Sequence, residues 1–307
     1  MNVTRTIVVI LAGITAVSMA VQAGEITLLV SSYGTDSVQR FDGDTGAFID
    51  TFTDGGALNG PEAIQYGPDG NVYVTSVFTD SVRRYDGQTG AFIDTFASGG
   101  GLSSPIGLRF GPDGNLYVSS HGNDRVLRYN GQTGALVDTF VLHGLLDGPE
   151  DLHFGPDGDL YVSTVYNDAV LRYDGQTGAF VEIFAIGSGL VDPVGLEFGP
   201  AGDLYVSSAA SDQVLRYDGQ TGTFVEVFAT GGGLSRPLGL EFGPDGNLYV
   251  CSGDSDDVLR YDGQSGAFMD AFASGGAHDT SYLAFVPDPP TLVLLSVGGL
   301  VARRRLR

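Results

Sequence analysis

The 307-residue chain has no tryptophan, one cysteine and no lysine; all fifteen of its basic residues are arginine. Each absence excludes something. A single cysteine, Cys251, rules out an intrachain disulfide, so the fold must be held by packing. Cys251 also stands where five corresponding segments carry Ser or Thr. It therefore reads as a small packed residue and not as a nucleophile, because a buried, unactivated thiol is inert. Basic charge is scarce where it would matter. Residues 24–286 hold ten Arg against thirty-six acids, a net charge near −26. Such a surface repels phosphate backbones, so nucleic acid is not an expected partner, whereas solubility, cations and basic partners suit it. Helical periodicity is missing outside the two termini.

What is present is repetition. The string FGPDGNLYVSS at 110–120 returns in near copies, and the first Gly of each turn falls at Gly67, Gly111, Gly155, Gly199 and Gly243, a step of 44 residues. A fixed period of this length decides the architecture. One repeat, 105–141, reads as four short β-runs: PIGLRF, NLYVSS, RVLRYN and ALVDTFV. GPDG and NGQTG are tight turns between them, with Pro presetting φ and Gly supplying φ > 0. The second-to-fourth-strand unit occurs six times, around Phe41, Tyr85, Tyr129, Tyr173, Tyr217 and Tyr261. The first-strand unit follows Pro61, Pro105, Pro149, Pro193 and Pro237, with a degenerate sixth copy at 282–285. The repeats thus open on a second strand at 26–32 and close on a first strand. This predicts an all-β, six-bladed β-propeller of four-stranded antiparallel blades over residues 24–286, with the ring shut by the last strand joining the first three. A linear solenoid would need end caps and gives no reason for the split blade.

The strings LRFGPDGNLYVSS and DRVLRYNGQTGALVDTF resemble NHL-type repeats. They are also similar to blades of the streptogramin-lyase-like and gluconolactonase-like six-bladed propellers. The resemblance spans about residues 25–286 and implies the fold strongly and the activity weakly, since such relatives include enzymes and pure binding modules.

Positions identical in all six copies should serve the blade they share. Asp36, Asp80, Asp124, Asp168, Asp212 and Asp256 form one such series, and Arg40, Arg84, Arg128, Arg172, Arg216 and Arg260 another. Val38 and its equivalents lie between them. Side chains at i, i+2 and i+4 share a strand face, so an Asp–Arg pair or shared polar network within each blade is expected. The alternative, a ring of six acidic ligands, would strip the Arg residues of counter-ions. GPDG and DGQTG lack the ligand spacing of a calcium loop and read as turns.

Function is expected where the copies differ. In a meander, the GPDG and DGQTG turns share one face. The loops between the second and third strands (YGT, VFT, HGN, VYN, AAS, GDS) share the other with the links between blades, and both sets vary. The innermost strands should line a channel with Glu62, Ile106, Glu150, Val194, Leu238 and Tyr282 or its neighbour, with Asp151 where other copies carry Ala or Gly. Gln65, Arg109, His153, Glu197 and Glu241 form a second series. Glu62, Glu150, Asp151, His153, Glu197, Glu241, His121 and Tyr166 are the candidate ligand-binding residues. No catalytic residue is assigned, since no two of the four His share a repeat position. The resemblance to gluconolactonase-like enzymes implies a divalent ion, Ca²⁺ or Mg²⁺, at the channel mouth; Glu62 and Glu150 match in kind, while Val194 and Leu238 are apolar where a further ligand is expected. The resemblance to the streptogramin lyases implies a His–Glu pair acting as base.

Both ends look processed. MNVTRTIVVILAGITAVSMAVQA has the layout of a secretory signal, residues 1–23, with cleavage after Ala23. The last segment, 287–307, combines Pro287-Asp288-Pro289, an apolar run of twelve residues from Thr291 and an Arg cluster at 303–307. This order resembles the PEP-CTERM sorting signal, with Asp288 at the place of its Glu. The resemblance implies an exosortase as a processing partner, transient membrane tethering through the C-terminal segment, and a destination at the cell surface or extracellular matrix. The expected partner in use is an extracellular ligand, glycan or protein. The combined expectation is a surface-sorted binding module, with a metal-dependent lactonase-like hydrolase, then a lyase, as the alternatives.

Overall fold

The computed structural model describes residues 26–287. Within them, six four-stranded antiparallel sheets stand in a ring, so the chain is an all-β, six-bladed propeller. The third blade shows how each is built: Pro105–Phe110 innermost, then Leu116–Ser120, Arg125–Tyr129 and, outermost, Leu136–Val141. Its first turn closes by a hydrogen bond from Gly114 N to Gly111 O of 2.9 Å, and Asp113 Oδ1 accepts from Asn115 N at 3.0 Å. The second turn is an Asx turn in which Asn130 Oδ1 accepts from Thr133 N at 2.9 Å. Its Gly134 has φ +69°, and a Cβ there would collide with the Phe96 carbonyl of the preceding blade. The turn glycine is thus required twice, for its backbone angle and for blade-to-blade approach.

The ring closes as the split repeat requires. Thr280–Pro287 pairs antiparallel with Ile26–Ser32, in register at Leu28↔Phe285 and Val30↔Leu283. Pro287 therefore ends the closing strand, opposite Ile26. Asp288, Pro289, the rest of the tail, and the signal with its site after Ala23 lie outside the described residues. The last repeat is one residue short. Thr280 pairs with Ser32 as Pro237 pairs with Ser252, so Ser281, not Tyr282, takes the place of Leu238.

Apolar packing runs between blades. Tyr161 is fully buried, with its ring edge-on to Phe184 at 4.8 Å and to Phe198 of the next blade at 5.0 Å. The same triad recurs around Tyr73, Tyr117, Tyr205 and Tyr249. Each such edge-on pair adds about 0.5–1.5 kcal/mol beyond the area it buries. Cys251 is buried in this core, and burial pushes its thiol well above the usual range, as an inert packed residue requires.

The expected Asp–Arg pairing is corrected in its partners. Each invariant Arg does find a carboxylate, but on the outermost strand or the first turn. Arg128 holds Asp138 bidentately at 3.1 and 2.5 Å, and Arg40, Arg84 and Arg260 do likewise with Asp50, Asp94 and Asp270. Where the outer residue is Glu182 or Glu226, the Arg keeps it with one nitrogen and also bonds Asp159 or Asp203, which replace Asn at the same turn position in other blades. The invariant Asp series does something else. Asp124 sits at φ +59° after a short 3-10 turn, outside the strand, so the alternation rule does not reach it. Its Oδ1 accepts from Gly148 N of the next blade at 2.9 Å, and all six copies repeat this latch. Removing one latch, by Asp124→Ala, should cost about 1–2 kcal/mol, read as a lower melting temperature by calorimetry. An unchanged melting curve would mean that water replaces the latch at no cost.

Candidate functional site

The innermost strands run from the variable face toward the GPDG turns, which sorts the channel into layers. At the variable end stand Glu62, Ile106, Glu150, Val194, Leu238 and Ser281. At the turn end stand Gln65, Arg109, His153, Glu197 and Glu241. Between them, Ala63, Gly107, Gly195 and Gly239 keep the strands close, since a Cβ on any of these glycines would press on the next inner strand. Asp151 and Tyr282 occupy the two remaining places of that middle layer. Tyr282 is 6% exposed and shares one buried cluster with Ala63, Ile106 and Val194. The two series read from the sequence thus stand on either side of a tyrosine plug.

The variable mouth gathers four of the candidates. His121 Nδ1 lies 2.9 Å from Glu150 Oε1, an ionic contact poorly aligned for a hydrogen bond. The Glu150 carboxylate raises the pKa of His121, and burial opposes it. Tyr166 Oη stands 3.5 Å from His121 Nε2, with the rings 5.7 Å apart. Glu62 is held beside Ser281; burial and then the Glu150 charge push its carboxyl up to about 8. Next to it, the rings of Tyr33 and Phe78 stand 5.8 Å apart. Phe78 and Tyr166 are 63% and 67% exposed. The equivalent loops of the last two blades begin with Ala209 and Gly253. The mouth is therefore a crescent of Tyr33, Phe78, His121 and Tyr166 on four consecutive blades, facing two carboxylates. Sequence reasoning missed Tyr33 and Phe78. Their signal was the first or second position of the variable YGT and VFT loops, the same series that supplied His121 and Tyr166.

Glu62 and Glu150 bring only two carboxylates, one of them against His121, whereas Ca²⁺ takes six to eight oxygen ligands. Among the described residues no group of three or more His, Cys, Asp or Glu is placed to hold a metal ion. Two carboxylates fall short of a resident Ca²⁺ site, and no chemistry is derived through a metal ion.

The middle layer and the turn end hold the other candidates. Asp151 is buried; its Oδ1 accepts from Leu152 N at 2.8 Å and its Oδ2 from Leu196 N of the next blade at 3.1 Å. Burial raises its pKa, against the Arg109 charge. Burial drives the His153 imidazole down to about 3, so it is neutral, and it lies 3.6 Å from Glu197. Burial raises Glu197 to about 7 and Glu241 to about 8, with the Glu197 charge adding to the second.

Comparisons with known proteins agree with this fold. The family model described as strictosidine synthase-like, N-terminal, matches residues 139–165. No curated protein matches the chain. Among solved structures the chain is similar to virginiamycin B lyase from Staphylococcus aureus, at 16% identity over 86% of this chain and 84% of that one, TM-score 0.61. It is similar to a chain of a nidogen/laminin complex at 18% identity, covering 85% and 98%, TM-score 0.67. A protein of unknown function from Bacteroides caccae matches at 15% identity over 85% and 99%, TM-score 0.68. At these identities the likeness shows the fold.

Proposed function

We propose that the chain is an exported, surface-sorted propeller that binds an extracellular ligand, protein or glycan, through its variable loop face. The observation that carries this reading is the aromatic crescent at the variable mouth. Exposed aromatic side chains beside carboxylates, on an otherwise acidic molecule, make a recognition surface: the rings give contact area at little entropic cost, and the charges select. Glu150 and the overall negative charge favour a protein segment that carries basic side chains. The likeness to a chain of a nidogen/laminin complex supports a protein-binding use of the scaffold. The test is an array of extracellular-matrix proteins and glycans probed with the purified protein and with the Phe78→Ala, Tyr166→Ala double variant. A hit weakened at least tenfold in the variant is expected, since two aromatic contacts supply about 2 kcal/mol or more. Hits that the variant keeps unchanged would move binding off this face.

The His121–Glu150 contact favours a second reading, lyase-like acid–base chemistry at the same mouth, because a general base must first be held in reach by geometry. Turnover of a streptogramin or a simple lactone, abolished by His121→Ala, would establish it. Binding without turnover would leave the module reading in place.

A further inference from the structure

On the far side of the Tyr282 plug, toward the GPDG turns, lies a cavity of about 180 Å³ walled by Gln65, Arg109, Asp151, Glu197, Glu241 and Tyr282. Arg109 acts on Asp151, Glu197 and Glu241 at a distance and lowers the pKa of each, but pairs directly with none of them. Among the described residues Arg109 forms no ion pair, and its buried Nε has no hydrogen-bond partner. Asp151 and Glu241 form no ion pair either, and Glu197 reaches only the neutral His153 ring, at 3.6 Å. The hydroxyl of Tyr282, a residue 6% exposed, is also buried without a partner. Opposite charges that share a small cavity and do not pair leave both desolvated, a costly arrangement unless a third party meets them. A lone cation would leave Arg109 unanswered, and a lone anion would leave the buried carboxyl groups without the cation that would ionise them. A molecule bearing both charges answers both.

We propose that this cavity is a binding site for a small zwitterion of the α-amino acid class, independent of the variable-face mouth. Its carboxylate pairs with Arg109 and accepts from the Tyr282 hydroxyl, and its ammonium sits against Glu197 and Glu241. The size agrees, since a cavity of roughly 150 Å³ takes a molecule of about six heavy atoms. Gln65 Oε1 and Asp151 Oδ2 accept from backbone amides of the neighbouring blades, and Asp151 Oδ1 from Leu152 N, so both serve as the wall; Glu241 gives one oxygen, Oε2, to Phe285 N at 3.3 Å and keeps Oε1 for the ligand. The raised carboxyls of Glu197 and Glu241 agree with sites that lack their cation.

The test is thermal melting of the purified protein at pH 7 in L-alanine, against an equimolar mixture of sodium propionate and propylammonium chloride at the same ionic strength. At ten times the dissociation constant, L-alanine should raise the melting temperature by about 3 °C more than the mixture. Tryptophan, too large for the space, should give no shift. The L-alanine shift should vanish in Arg109→Gln and shrink in Glu241→Gln, and persist in Tyr166→Ala. A shift no larger than the mixture gives would overturn the proposal, as would one that survives both cavity variants. Should Arg109→Gln fail to fold, Tyr282→Phe, which loses only the hydroxyl, must weaken L-alanine binding several-fold for the proposal to stand.

Discussion

A chain that stops before Thr280 is expected to lose cooperative folding, while one that ends at Pro287 melts like the full protein. The strand Thr280–Pro287 buries Tyr282, Leu283, Ala284 and Val286. It also covers Leu28 and Val30 of the first strand, with which Leu283 shares a cluster. Burying each large apolar side chain is worth about 1.5–3 kcal/mol. With the antiparallel ladder to Ile26–Ser32 the loss reaches roughly 10 kcal/mol, as much as a domain's whole stability. Removing the strand also exposes the paired edge of Ile26–Ser32, an invitation to associate with other chains. Size-exclusion chromatography and calorimetry of the two truncations decide the point. A monomeric 1–279 chain melting within a few degrees of the full protein would show that the first three strands close the ring without help. The graded version is Leu283→Ala, expected to cost about 2–4 kcal/mol as a cavity in that seam.

The closure was readable because the repeat itself is out of phase with the chain: a second strand at Ile26 has no partner until the degenerate 282–285 copy supplies one. The partners of the invariant Arg were not readable in the same way. The sequence places Asp124 four residues before Arg128, which suggests a shared face, but the left-handed residue at Asp124 breaks the alternation just where the argument needs it. Only tertiary pairing across strands shows that Arg128 meets Asp138 ten residues on. A fainter signal existed, in that Glu182 and Glu226 on the outer strand occur with Asp159 and Asp203 at the first turn. The candidate site was half legible. Identity and blade position named the channel residues, yet strand direction along the axis separates Glu62 and Glu150 from Glu197 and Glu241, and the one-residue shortening of the last repeat turns Tyr282 into the barrier between them. Spacing alone carries neither fact.

Between pH 6.5 and 8 the protein should become markedly less stable. Three carboxyls are held protonated by burial: Glu62 to about 8, Glu197 to about 7 and Glu241 to about 8. In the unfolded chain each ionises near 4.5, so over the interval the native state binds more protons and stability falls as pH rises. Glu62 faces Glu150 and Asp279 with Arg236 opposing; Glu197 faces Asp151, and Glu241 faces Glu197, both with Arg109 opposing. The His121 contact has the same sign, since its raised pKa means stability present below about 6.5 and lost above. His153 has the opposite sign: neutral in the fold down to about 3, it favours the native state as pH rises toward 6.5 and is spent by then. The turn aspartates Asp42, Asp86 and Asp174, lowered by hydrogen bonds from Thr45, Thr89 and Thr177, stabilise only above the carboxylate range and are constant here. What remains in the window is the buried glutamates. At 1.36 kcal/mol per pKa unit, reduced for their access to the channel, they amount to roughly 3 kcal/mol. For a domain of this size that is a drop of about 8 °C in melting temperature. Glu62→Gln and Glu241→Gln should each flatten the slope, and Glu182→Gln, on an exposed outer strand, should not. A wild-type melting temperature level from pH 6.5 to 8 would mean that the three carboxylates are already ionised in the fold, and that the channel supplies them with charge it does not show among its own side chains.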